Sequence, residues 1–202
     1  MKNYIYTLLL LASISFMSCQ GNSTSKEIAD AEEADSFVSD TTYTTLASKS
    51  LADDTLAVVY KPIMEKYLEL SDALTEAQPL DASRIAVEME LLFKKANLKL
   101  ATNENKNIWG EQADAILIFL NKIAASKDLK VQRNEFYPLS QDVYDLYAKI
   151  GLKGFTIYKQ FCPMAFNDKG AFWLSKSEDI LNPYFGSTML HCGEIKEKIS
   201  NP

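Results

Sequence analysis

Histidine is all but missing from this 202-residue chain, which has His191 alone. A Ser–His or Cys–His catalytic pair would have to be built on it. Its neighbour Cys192 does not serve, because consecutive side chains seldom face each other in a productive geometry. Cysteine is nearly as scarce, at three residues, Cys19, Cys162 and Cys192. A structural zinc site usually takes four Cys or His ligands and iron–sulfur clusters are similarly demanding, so neither finds its donors here. The sequence has no Gly-rich phosphate loop, Walker motif or dinucleotide fingerprint. Positive charge is in deficit, with 21 Lys and Arg against 27 Asp and Glu and a formal charge of −6. An acidic surface argues against nucleic acid and against electrostatic adhesion to anionic lipid. Carboxylates are many, but Glu65, Glu69, Asp72 and Glu76 fall on the solvated side of a predicted helix and read as solubility. With no catalytic constellation, the chain is expected not to be an enzyme.

What is present begins with Lys2, the apolar run Leu8-Leu9-Leu10-Leu11-Ala12, and then Met17-Ser18-Cys19. Residues 1–18 read as a secretory signal and not a membrane span, because the run is short and ends at small residues. A cysteine directly after Ser18 resembles the lipobox of bacterial lipoproteins, although Phe16 and Met17 depart from the usual Leu-Ala lead. On that reading Cys19 is acylated and becomes the mature N-terminus, and the acyl chains hold the protein to a membrane. The expected location is the bacterial cell envelope, lipid-anchored and periplasm-facing or in the outer membrane. The rival reading is a soluble secreted protein cleaved nearby. Residues 1–18 carry one lysine and no acid, so their removal takes the formal charge from −6 to −7.

Residues 19–54 form the lipidated N-terminus and a stretch rich in Ser, Thr, Asp and Glu. Such a segment buries too little surface to offset its ordering entropy and is expected to be a disordered tether. "SFVSDTTYTTL" has strand character without an obvious partner. Residues 55–202 make one domain. Its first helix carries Leu56, Tyr60, Ile63, Tyr67, Leu70 and Leu74 on one face and ends near Gln78-Pro79. Pro62 is tolerated there only if the helix starts close by. A second helix after Asp81 turns Ile85, Met89, Phe93, Ala96 and Leu100 inward. A third, capped by Asn103 or Asn105, carries Trp109, Ala113, Ile116, Leu120 and Ile123. Asp128 caps a fourth, from Gln132 through Phe136, Leu139, Val143, Leu146 and Ile150 to Gly151, with Pro138 expected to kink or split it. These elements predict a mainly α fold, an antiparallel four-helix bundle.

After Gly154 the pattern changes. "FTIYKQF" and "GAFWLS" are aromatic and β-branched and "NDKG" has turn chemistry, which predicts a short C-terminal β-hairpin or irregular lobe. "NPYFG" makes a turn, and Met189-Leu190-His191-Cys192 leads through Gly193 into a short terminal helix. Tyr144, Tyr147, Tyr158, Trp173, Tyr184 and Phe185 crowd this half as core, and any exposed subset would mark a docking surface.

The stretch "YKQFCPMAFNDKGAFWLSKSEDILNPYFGSTMLHCGEIKEKI" resembles the C-terminal signature of an uncharacterised family of bacterial periplasmic domains, domain of unknown function 3347. The resemblance covers about residues 56–200 and is most specific at "CPMAF", "GAFWLS", "NPYFG" and "ML-x-CG". The family confers no established activity. It occurs in lipoproteins of the Bacteroidetes and appended to periplasmic adaptor subunits of copper/silver efflux systems, which implies a neighbourhood in metal efflux. His191 stands where the pattern has a small polar residue, so no ligand role for it comes from the family.

The residues themselves offer two chemistries. Cu(I) and Ag(I) are soft and prefer thiolate and thioether, which Cys162 with Met164 and Met189 with Cys192 supply, with His191 as a further candidate donor. Pro163 stiffens the first arm, and the Met-x-x-Cys spacing brings both sulfurs to one side of a helical or turn-like segment. Alternatively, an extracytoplasmic pair reads as a disulfide. A Cys162–Cys192 bridge would close a loop of about thirty residues and stabilise the fold by roughly 3.5 kcal/mol, leaving both methionines as core filler. The expected function is a membrane-tethered binder of Cu(I) or Ag(I) associated with heavy-metal efflux. The alternative is a disulfide-stapled interaction module that docks on an envelope or efflux-adaptor partner.

Overall fold

The structure is a computed structural model in which residues 43–47, 54–100 and 106–200 are described. The expected signal peptide, Cys19 and most of the expected tether lie outside the described residues.

Four helices make up the larger part: α1 (Asp54–Thr75), α2 (Pro79–Leu100), α3 (Lys106–Ala125) and α4 (Leu129–Ile150). Each packs along its successor, and α1 also meets α4. Their apolar stripes, spaced at three and four residues, converge on a core in which Tyr60, Tyr67, Phe93, Phe136 and Met89 have no exposed surface. Several buried polar groups in this core are tied down by hydrogen bonds, although Gln132 Oε1 has no partner. Tyr67 shares a 2.7 Å hydrogen bond with Ser140 of α4, and Tyr60 donates to the Val143 carbonyl at 3.0 Å. Gln132 donates to the carbonyls of Pro79 and Ser126, at 2.9 and 2.8 Å, and so joins the start of α2 to the end of α3 from within α4.

Local chemistry sets the helix ends. The Asp128 carboxylate accepts from Lys130 N–H at 2.8 Å, the expected N-cap of α4, and Gly151 closes that helix with its N–H on the Tyr147 carbonyl. Asn103 and Asn105 lie outside the described residues. At the end of α1, Ala77 N–H reaches the Leu74 carbonyl and Gln78 N–H the Ala73 carbonyl, a Schellman pattern that needs a left-handed residue. Ala77 takes that conformation, with φ 57°. Pro138 does not split α4, which continues from Leu129 to Ile150. Pro62 sits eight residues inside α1 and not in its first turn. The carbonyl it leaves without a helical donor is that of Val58, a solvent-facing residue, so the lost bond falls on the exposed side of the helix.

A four-stranded sheet completes the fold, with strands β1 (Thr44–Ala47), β2 (Thr156–Cys162), β3 (Ala171–Ser175) and β4 (Glu194–Ser200) in the order β1-β4-β2-β3. The expected hairpin is present as β2 against β3, antiparallel, with Phe161 opposite Phe172 and Cys162 opposite Ala171. Two expectations are corrected. The terminal segment after Gly193 is strand β4 and not a helix, because it pairs antiparallel with β2 and buries Ile199. Part of the expected tether, Thr44–Ala47, is a strand that pairs in parallel with β4, so its ordering is offset by sheet hydrogen bonds and not by an apolar core. The sheet meets the helices mainly through β3 on α4. There the backbone N–H of Leu174 donates to the Tyr67 hydroxyl at 3.1 Å.

Candidate functional site

Cys162 is the last residue of β2 and is fully buried. Thirty residues later, Cys192 lies in the loop that enters β4, half-buried. Three features bring the loop back to the strand. Asn182, itself buried, donates from Nδ2 to the Cys192 carbonyl at 2.7 Å. Cys192 N–H closes a turn on the Met189 carbonyl at 3.1 Å. Gly193 leaves room for the approach, since a Cβ there would lie 3.0 Å from Trp173 Cη2 and 3.1 Å from the Phe161 carbonyl oxygen.

The consequence is a pair of thiols in contact, with the sulfurs of Cys162 and Cys192 2.9 Å apart and both cysteines unbridged. The hydrogen bond with the Cys162 thiol, then burial, then the nearby Cys162 charge push the Cys192 thiol up to about 11. Each effect favours the protonated form of Cys192.

The other expected donors are placed as follows. Met189 is half-buried and ends the short 3-10 turn Gly186–Thr188, one turn away from Cys192 along the chain. Met164 is 49% exposed and borders a groove with Tyr137 and Phe166. His191 is exposed and its Nδ1 lies 2.9 Å from the Ile180 carbonyl oxygen. Among the described residues no group of three or more His, Cys, Asp or Glu side chains converges on a point that would hold a metal ion. The donor set brought together is therefore the dithiol. Two convergent sulfurs, one of them partly open to solvent, fit a soft ion of low coordination number and do not fit a four-ligand zinc site.

Asn182 was not singled out by sequence reasoning, although it controls this geometry. Its Oδ1 accepts from the N–H of Tyr184 at 2.9 Å and of Phe185 at 3.3 Å, so one side chain folds the Asn-Pro-Tyr-Phe turn and ties it to Cys192. The available signal was the Asn-Pro pair, since Asn hydrogen-bonds its own backbone two residues on. The carboxylates of Glu69, Asp72 and Glu76 are exposed, as their helical positions imply. Desolvation and its neighbours Glu76 and Glu69 raise the Asp72 carboxyl above the usual range.

Among the described residues no helix is long and apolar enough to cross a membrane. Residues 63–154 match the family model described as protein of unknown function, DUF3347. The matched segment is the helical part from α1 to the entry of β2, and the sulfur-bearing stretch lies beyond it. Comparison with curated proteins and with solved structures finds no match.

Proposed function

Residues 63–154 carry the domain of the DUF3347 family, and on that premise we propose that the chain is a non-catalytic, envelope-tethered binder of a soft metal ion, Cu(I) or Ag(I). The ion is cargo, held between the Cys162 and Cys192 sulfurs. The observation that carries this reading is the 2.9 Å contact between two unbridged thiols that are thirty residues apart in the chain. Thiolates suit these ions better than any oxygen or nitrogen donor in the molecule. Met189, adjacent through its turn with Cys192, is the thioether best placed to assist. Met164 and His191 serve as outer donors that hand the ion on or receive it. The helices, which we infer run up and down as an antiparallel bundle because α1 to α2 and α3 to α4 are joined by three residues each, act as the rigid body behind the site. Cys19, acylated, supplies the anchor, and a periplasmic efflux adaptor is the fitting recipient.

The same contact favours a second reading. Loss of two electrons and two protons to an extracytoplasmic thiol oxidant would join Cys162 to Cys192. The product is a stapled interaction module whose aromatic C-terminal lobe docks on an envelope partner. The two readings describe the reduced and oxidised states of one pair.

The test is an anaerobic Cu(I) titration of the reduced full chain against a chromophoric competitor, with Cys162→Ser/Cys192→Ser in parallel and a free-thiol count on protein taken directly from cells. One equivalent bound tightly, lost in the variant, with free thiols in the native sample, supports the metal reading. Equal binding by the double variant overturns it, and an absence of free thiols with no binding leaves the staple.

A further inference from the structure

The first turns of α4 face the Ala165–Asp168 turn across two adjoining cavities of about 630 and 390 Å³, which share Lys130, Asn134, Phe166 and Phe185 as walls. Lys130 borders both, Lys169 the larger and Arg133 the smaller, and no Asp or Glu lines either. Among the described residues none of these three cations forms an ion pair. In a chain with an excess of acidic residues, three cations gathered without a carboxylate run against the composition.

Arg133 makes the imbalance concrete. Its Nη2 donates to the Leu74 carbonyl at 2.8 Å, and its Nε is buried with no partner. Burial works against its charge and lowers its pKa. A guanidinium drawn out of water without a carboxylate is a destabilising arrangement unless an anion offsets it.

The opposite wall is aromatic. Phe166 lies 5.2 Å from the Tyr137 ring and 5.3 Å from the Tyr184 ring. It is held there by left-handed backbone at Phe166, Asn167 and Asp168, with φ of 54°, 58° and 62°. Left-handed conformation costs L-residues roughly 1–2 kcal/mol each, and such strain collects at ligand clamps. Asn134 adds a polar residue on the α4 side, since it borders both cavities. An aromatic slot with a cationic rim and a few polar groups is the composition of a small-molecule site.

We propose that this groove binds a small organic anion, an apolar or aromatic body bearing a carboxylate, with Lys130, Lys169 and Arg133 around the charge and Tyr137, Phe166 and Phe185 around the body. The site does not use the two thiols, and Met164, an outer donor in the metal reading, borders it and so reports on it.

The full chain, labelled with carbon-13 at its methionine methyl groups, is titrated with 1-naphthoate. Met164 is assigned from Met164→Leu, and the fully buried Met64 and Met89 serve as internal controls. The expected result is a saturable shift of the Met164 methyl alone. It weakens at least tenfold in Lys130→Gln/Lys169→Gln and is absent with 1-naphthylmethylammonium and with inorganic phosphate. No shift of Met164 overturns the proposal. So does an equal response to the cation or to phosphate, or unchanged affinity in the double variant.

Discussion

Asn182 Nδ2 sits 2.7 Å from the carbonyl oxygen of Cys192. This hydrogen bond links the turn after β3 to the thiol that meets Cys162, so the sulfur contact depends on a side chain with no sulfur. Asn182→Ala removes that bond and strands the buried N–H of Tyr184 and the half-buried N–H of Phe185. The expected cost is about 2–3 kcal/mol, since each buried group left unsatisfied costs on the order of 1–3 kcal/mol and relaxation recovers part of it. Urea unfolding measures it, and a loss below about 1 kcal/mol would show that the turn holds itself without Asn182.

Thiol reactivity provides the pH test. With the Cys192 thiol pushed up to about 11, its thiolate is scarce at neutral pH. At pH 8 the thiolate fraction should be roughly two orders of magnitude below that of an unperturbed thiol, whose pKa is about 8.5. Alkylation by iodoacetamide, followed by mass spectrometry on the reduced protein, should accelerate up to about pH 11. Cys162→Ala removes the largest cause and should speed Cys192 alkylation at pH 8. The sign for folding follows: a raised thiol contributes stability below its unfolded pKa and loses it as pH rises toward 11. Rates that level off near pH 8.5, the ordinary thiol value, would contradict the coupling of the two sulfurs.

The helix end at Ala77 predicts a stabilising substitution. Ala77 is exposed and holds a left-handed φ of 57° in the Schellman turn between α1 and α2. Ala77→Gly relieves roughly 1–2 kcal/mol of strain and returns about 0.5–1 kcal/mol of unfolded-state entropy, for a net gain of about 0.5–1 kcal/mol. Thermal unfolding should show a midpoint raised by a few degrees, and a lowered midpoint would refute the assignment of strain to this residue.

Tyr67→Phe tests the seam between the helices and the sheet. The hydroxyl contacts Ser140 of α4 and accepts from Leu174 of β3, and its burial raises the phenol well above its ordinary value. Its removal leaves one buried N–H without an acceptor, at a cost of about 1–3 kcal/mol. Chemical denaturation should register that loss in a single cooperative transition. A separate, earlier transition of near-ultraviolet signal from Trp173 would instead mean that the sheet detaches from the helices on its own.

At Gly170 the backbone φ is +78°, and a Cβ would fall 2.2 Å from Cζ of Phe161. Gly170→Ala should therefore combine backbone strain with displacement of the ring, for about 2–4 kcal/mol in total. Hydrogen exchange along β2 and β3 should report the loosening, and unchanged protection there would exclude it.

Much of this architecture was legible because the signals were local. Tyr60, Ile63, Tyr67, Leu70 and Leu74 recur at helical spacing, Asp128 announces a cap, and "FTIYKQF" with "GAFWLS" declares a hairpin. What failed to show was set at long range. In β4, Ile195 and Ile199 are four apart among lysines and glutamates, a pattern that also fits an amphipathic helix, and only the pairing with β2 and β1 decides the matter. The four residues of β1 have a partner about 150 positions away, which no window along the sequence contains. The cysteines were conspicuous by scarcity and do meet in space. The groove was hidden, because Asn167 and Asp168 signalled a turn without revealing that the turn is left-handed and points Phe166 at α4.

The pairing of Thr44 with Glu197 also sets an order of events in biosynthesis. Strand β1 emerges before α1, yet its neighbour in the sheet is made only after α1 to α4, β2 and β3. During synthesis β1 therefore waits as an unmatched edge, and the hydrogen-bonded register of the sheet is completed last, after about 150 further residues have appeared. Contacts of such long sequence separation form slowly. The segment Thr44–Ala47 is thus latched to the folded body as a late step, and a chain truncated before β4 would leave it unfastened.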